Sequence, residues 1–142
     1  MAQEETGRAD RTSGSFFDGT CLCGALAFRI RAPSKWCAHC HCTLCQRAHG
    51  AAFVTWVGVE EGQFALLTSD TLTWFSSSEA AERGFCSACG TSVLFRSPRW
   101  PGEIHVARAT IPGEIDRAPQ AHVFVSSRVS WLSLEDHLPE KG

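Results

Sequence analysis

From Phe16 onward the apolar positions recur every second residue in short runs, the period of strands with one buried face. Leu26, Phe28 and Ile30 share one parity, Arg29 and Arg31 take the other, and Pro33 stops the run. AAFVTWVGV (51–59), QFALLTSD (63–70), TLTWFSSS (71–78), SVLFRS (92–97) and EIHVARATI (103–111) carry the β-branched and aromatic residues that favour strands. HVFVSS (122–127) and VSWLSL (129–134) are the last strand candidates. Gly62 and Pro112-Gly113 mark turns, and EAAERGF (79–85) reads as no more than a helical turn. Short strands with little amphipathic helix predict a mainly β fold: one sandwich or barrel-like domain over 15–142 with short helical turns. Residues 1–14 lack apolar periodicity and read as a flexible tail.

Composition narrows the class. With 44% apolar residues in 142, the chain can build a core without covalent staples. A formal net charge of −2 with scattered Lys and Arg argues against a nucleic-acid face. No apolar stretch approaches the roughly 20 residues that span a bilayer, so no membrane role is expected. The polar first residues contain no apolar signal segment, which leads us to expect a cytoplasmic, reducing setting.

Eight cysteines in such a chain call for explanation, and that setting favours metal ligation over disulfides. They fall as Cys21-x-Cys23, Cys37, Cys40-x-Cys42-x-x-Cys45 and Cys86-x-x-Cys89. A Cys-x-x-Cys turn presents two sulfurs to one ion, and Gly90 after Cys89 suits a backbone needing positive φ. Zinc takes four ligands in a tetrahedron, so one such pair must meet a second from elsewhere in the chain. In an extended segment Cys21 and Cys23 would point to one face, and Gly24 would let the chain bend around the metal. Cys40, Cys42 and Cys45 could wrap one ion locally, leaving a position for exchange, as in catalytic zinc sites. Candidates for a fourth protein ligand are Cys37, His39, His41 and His49, with His39 and His41 disfavoured by alternation. His41 and His49 are also candidate proton carriers, although a structural role is the simpler reading. Arg47 and Arg83 read as solvated or locally paired, Trp56 as core, Trp131 as a core anchor, and His122 as a satisfied core or edge histidine.

Taken in order, Gly19-Thr20-Cys21-x-Cys23-Gly24, His39-Cys40-His41-Cys42-x-x-Cys45-x-Arg47-x-x-Gly50-Ala51-x-Phe53 and Arg83-x-Phe85-Cys86-x-x-Cys89-Gly90-Thr91 resemble the glutathione-dependent formaldehyde-activating enzyme family, which includes the centromere protein V branch. Pro119-x-x-His122-Val-Phe, Trp131 and Asp136-x-Leu138-Pro139 resemble its C-terminal stretch, so the likeness runs over about 16–139. The resemblance implies two zinc ions. One is structural, on Cys21, Cys23, Cys86 and Cys89; the second, catalytic and possessing a labile position, is on Cys40, Cys42 and Cys45. Cys37 is extra to the pattern and reads as a small buried thiol. The implied fold is a zinc-ribbon-like pair of sheets. The implied chemistry is that of a carbon–sulfur lyase joining formaldehyde to glutathione as S-(hydroxymethyl)glutathione, and reversing it. A thiol attacks as its thiolate, and three anionic sulfurs on zinc suit exchange of a bound thiolate better than generation of a potent hydroxide. The competing class is a non-catalytic zinc-binding interaction module; a redox dithiol switch ranks behind both.

Overall fold

A computed structural model of the chain describes residues 15–142; the tail read over 1–14 lies outside the described residues. The described strands are β1 (Phe16–Thr20), β2 (Ala27–Arg31), β3 (Trp36–Cys40), β4 (Val54–Glu60), β5 (Phe64–Thr68), β6 (Leu72–Ser76), β7 (Glu82–Cys86), β8 (Ser92–Arg96), β9 (Glu103–Ala107) and β10 (His122–Val123). One helix, α1 (Thr43–His49), follows β3. The strands form a three-stranded sheet, β1-β2-β5, and a seven-stranded sheet, β10-β3-β4-β9-β8-β7-β6. Pairing is antiparallel throughout except for β10, which runs parallel to β3 with His122 opposite His39.

The alternation read from the sequence decides which side each strand buries. Leu26, Phe28 and Ile30 are 0–1% exposed, while Arg29 and Arg31 face solvent. They pack against Val57 and Val59 of β4 and Ile104 and Val106 of β9, so the small sheet covers one face of the large one. The alternate residues of the same strands, Trp56 and Ala107, join Cys40, Cys45 and Val54 in a second cluster on the opposite face. The large sheet thus presents one face to the core and the other to a pocket. Two glycines permit close approach: a Cβ on Gly19 would lie 2.2 Å from Phe28 Cζ, and one on Gly58 2.2 Å from Trp36 Cε2.

Several expectations need correction. Cys21 and Cys23 lie in a turn between β1 and β2 rather than on an extended strand. Residues 43–49 form a helix because Cys42 caps its start and Gly50, at φ 61°, ends it. Glu82–Cys86 is a full strand held between β6 and β8, its pairing overriding the helical preference of Glu and Ala. After residue 121 the one strand is His122–Val123, with an isolated bridge from His122 to Glu140; residues 129–134 find no strand partner, and Trp131 is 73% exposed rather than a core anchor.

Truncating Phe28 to alanine should cost about 3–5 kcal/mol in urea denaturation, since it leaves a cavity between the sheets. The same change at Phe16, which is 56% exposed on the adjacent strand, should stay within about 0.5 kcal/mol. Equal costs would contradict the packing described.

Candidate metal centres

The turns at Cys21–Gly24 and Cys86–Gly90 bring sulfurs that are at least 63 positions apart in the chain into a single cluster: Cys21, Cys23, Cys86 and Cys89 have sulfurs within 4.8 Å of one another. Cys21 and Cys23 are separated by 3.7 Å, and Cys23 and Cys86 by 3.8 Å. Sulfurs on a tetrahedron with metal–sulfur bonds of about 2.3 Å stand about 3.8 Å apart, so the donor set fits zinc. All eight cysteines of the chain are free. Gly24 and Gly90, at φ 85° and 84°, give each turn its left-handed residue, and their N–H groups donate to Cys21 O and Cys86 O. Leu26 N–H donates to Cys21 Sγ. Thr71 Oγ1 is 3.3 Å from Cys86 Sγ and Thr91 Oγ1 is 3.1 Å from Cys89 Sγ, positions from which a hydroxyl donates to a thiolate. The Thr91 hydroxyl and nearby amides hold the Cys89 thiol down at about 5, and Thr71 lowers Cys86, both toward the ligating form.

A second group forms where β3 passes into α1. Cys40, Cys42 and Cys45 have sulfurs within 4.8 Å of one another, with Cys45 and Cys40 at 3.5 Å. Cys42 is extended (φ −66°, ψ 146°) and caps the helix, its sulfur accepting from Cys45 N–H at 3.3 Å. Hydrogen bonds from the Cys40 and Cys45 thiols, with the Cys45 and Leu44 amides, pull Cys42 well below the usual thiol range; the same sharing pushes Cys40 up. This donor set also suits zinc, with three protein ligands.

None of the four candidates for a fourth ligand joins this group among the described residues. Cys37 turns into the main core, where burial raises its thiol to about 11. His39 and His41 take the opposite parity to Cys40 and Cys42 and face the C-terminal segment. His41 Nε2 is 2.8 Å from His122 Nδ1, His122 Nε2 is 2.9 Å from Asp136 Oδ2, and His39 Nδ1 is 2.8 Å from Thr55 Oγ1. The donor atoms of His39, His122 and Asp136 also lie within 4.8 Å of one another, and both ring nitrogens of His122 are hydrogen-bonded, one to His41 and one to Asp136. Sequence reasoning missed this chain of contacts, although it singled out both His122 and Asp136. His49 packs edge-on against Trp56, and burial, with the Arg83 charge adding, depresses it to about 4.

The three sulfurs form one wall of a cavity of about 540 Å³. Trp36, Trp56, Phe95, Trp100 and Phe124 supply aromatic walls; Arg83, Arg99 and Lys141 are its cations, and no Asp or Glu lines it. His105 is stacked among Trp36, Phe95 and Trp100 and bonded to Glu103, which also accepts from Trp36 Nε1. Burial keeps this imidazole below its usual range and therefore neutral at neutral pH. Arg83 departs most from expectation. It is 6% exposed, donates to Cys45 Sγ at 3.6 Å and lies 4.9 Å from the Phe95 ring centre, with no carboxylate partner among the described residues. Nothing in its local sequence distinguishes a buried arginine from a solvated one.

Comparison with known proteins follows this geometry. A family model described as glutathione-dependent formaldehyde-activating enzyme matches residues 16–127. A Halomonas elongata protein provisionally named a glutathione-dependent formaldehyde-activating enzyme is 27% identical over 131 residues, covering 83% of this chain and 80% of that one. A Schizosaccharomyces pombe protein named an uncharacterized lyase is 30% identical over 81 residues, 56% of each chain. The crystal structure of a Rhodobacter sphaeroides protein superposes with a TM-score of 0.57 at 22% identity, over 68% of this chain and 89% of that one, and shows a common fold. With the family model spanning most of both sheets and every cysteine, the chain belongs to the glutathione-dependent formaldehyde-activating enzyme family.

Proposed function

We propose that this protein is a zinc-dependent carbon–sulfur lyase-type enzyme that forms and breaks the adduct of a small thiol with a small aldehyde, S-(hydroxymethyl)glutathione being the substrate its family suggests. The observation that carries this reading is the convergence of Cys40, Cys42 and Cys45 on the wall of an open cavity with no fourth protein ligand among the described residues. In the same reading Cys21, Cys23, Cys86 and Cys89 hold a closed structural zinc that ties the β1–β2 turn to the β7–β8 turn.

Zinc held by Cys40, Cys42 and Cys45 would supply an electrophilic position that keeps a small thiol in its nucleophilic, deprotonated form. The surrounding residues do the rest. Arg99 and Lys141 at the rim offer cations to the carboxylates of a peptide thiol such as glutathione. Trp36, Trp56 and Phe95 limit water around the reacting carbon, which strengthens every charge interaction inside. In the forward direction the sulfur–carbon bond forms as the carbonyl π bond opens, and the proton that left sulfur is matched by the one gained at oxygen. The reaction needs no net acid, base or oxidant. His105, neutral and engaged with Glu103, and His41, on the far side of β3, are not placed to shuttle that proton.

Zinc-loaded protein should accelerate exchange between free formaldehyde and its glutathione adduct, read by NMR exchange spectroscopy, and Cys42→Ser should abolish the acceleration. Exchange at the uncatalysed rate with fully loaded wild type would overturn the enzyme reading in favour of a non-catalytic zinc module. Metal analysis should find two zinc ions per chain, with a chelator removing the Cys40/Cys42/Cys45 ion first and without unfolding. Cys86→Ser should instead collapse the fold, because structural zinc sites contribute on the order of 10 kcal/mol to folding. Two ions of equal inertness, or only one, would contradict this division of roles.

A further inference from the structure

Arg83 has no role in the proposal above, and its surroundings demand one. A guanidinium does not lose its proton in a protein, so at 6% exposure Arg83 is a buried, permanent cation. Such a charge requires an anion nearby. No ion pair to it exists among the described residues, and Nε and Nη1 have no hydrogen-bond partner. Its one side-chain hydrogen bond is to Cys45 Sγ. The cavity contributes no Asp or Glu that would cancel the charge, and Arg99 and Lys141 add to it. The Phe95 ring 4.9 Å away is a neutral support.

Charge counting gives the consequence. Three thiolates and one divalent cation sum to −1, and a fourth ligand arriving as a thiolate would bring the centre to −2 in a low-dielectric wall. With the guanidinium against Cys45, these totals become 0 and −1. We propose that Arg83 is a positioning residue that makes the Cys40/Cys42/Cys45 centre receptive to an anionic fourth ligand, and so sets the exchangeable position to select thiolates over neutral donors. This rests on the metal-binding reading of those three cysteines. It deepens that reading by assigning the ligand selectivity of the fourth position to a residue that ligates neither metal nor substrate.

The test uses full-length protein with cobalt(II) exchanged into the labile centre, read by the visible ligand-field and sulfur-to-cobalt absorption. Wild type, Arg83→Met, Arg83→Gln and Arg83→Lys are each titrated with 2-mercaptoethanol, which binds as a thiolate, and with imidazole, which binds neutral. Removing the charge should weaken the thiolate by about tenfold or more while imidazole affinity changes by less than about twofold, and Arg83→Lys should recover most of the thiolate affinity. A loss shared equally by both ligands would assign Arg83 a purely structural role and overturn the proposal, as would no change in either. Should Arg83→Met fail to fold, Arg83→Gln carries the same comparison. Failure of wild type to take up cobalt at the labile centre would overturn the metal reading itself, an outcome separate from any difference among the Arg83 variants.

Discussion

Four sulfurs within 4.8 Å of one another would repel as anions unless a cation lay between them, and the two turns that bring them together tie the sheets at one end. The Cys21–Gly24 turn belongs to the hairpin of the small sheet, and the Cys86–Gly90 turn joins β7 to β8 near the far edge of the large one. Apolar packing of Phe28, Ile30, Val57 and Val106 holds the sheets face to face, but such contacts are non-directional and set no unique registry between sheets. The cysteine turns supply a directional constraint at one end. Thr91 shows how closely the two turns are fitted: its hydroxyl accepts from Leu22 N–H in one turn while lying against Cys89 Sγ in the other.

The two cysteine groups differ because of where they sit. The four-cysteine group lies between turns and is closed by its own ligands. The three-cysteine group lies on a sheet face at the mouth of a helix, so its open side is the cavity. The α1 N-terminus contributes to this difference, since the Cys45 amide points at Cys42 Sγ and favours its anionic form. Arg83, reaching across from β7, places a positive charge against Cys45 Sγ. In the proposed reading the first group would retain its ion, and the second would leave a coordination position exposed to whatever enters the pocket.

What could be read from the sequence was whatever period and spacing encode. Leu26, Phe28 and Ile30 announced their strand, and the spacing of the cysteines announced two groups, Gly24 and Gly90 marking the turns of the first. The helix at 43–49 was not legible, because Cys42 acts as its cap and cysteine is not a usual capping residue. β7 was hidden by helix-favouring residues whose preference yields to pairing on both sides. The burial of Arg83 was also hidden. It depends on β7 lying across the sheet from α1, a long-range relation that no local pattern carries.

Parity along β3 and its continuation explains why, among the described residues, the second group gathers three cysteines and no histidine. Extended backbone persists through Cys42, so Cys40 and Cys42 project to the cavity while His39 and His41 project away from it. Alternation alone would leave two imidazoles in search of partners on the far side. Thr55 of β4 provides one for His39 and the C-terminal segment one for His41: His122 N–H donates to Pro139 O, Lys141 N–H donates to His122 O, and Asp136 closes on the His122 ring. The chain of contacts from His41 through His122 to Asp136 therefore fixes His41 out of reach of the sulfurs and at the same time brings Lys141 to the cavity rim. A histidine that could swing into the fourth position would close the centre. Parity and Thr55 keep His39 on the far side of β3, and the contact of His41 Nε2 with His122 does the same for His41, so the C-terminal segment is part of what holds His41 away from the sulfurs.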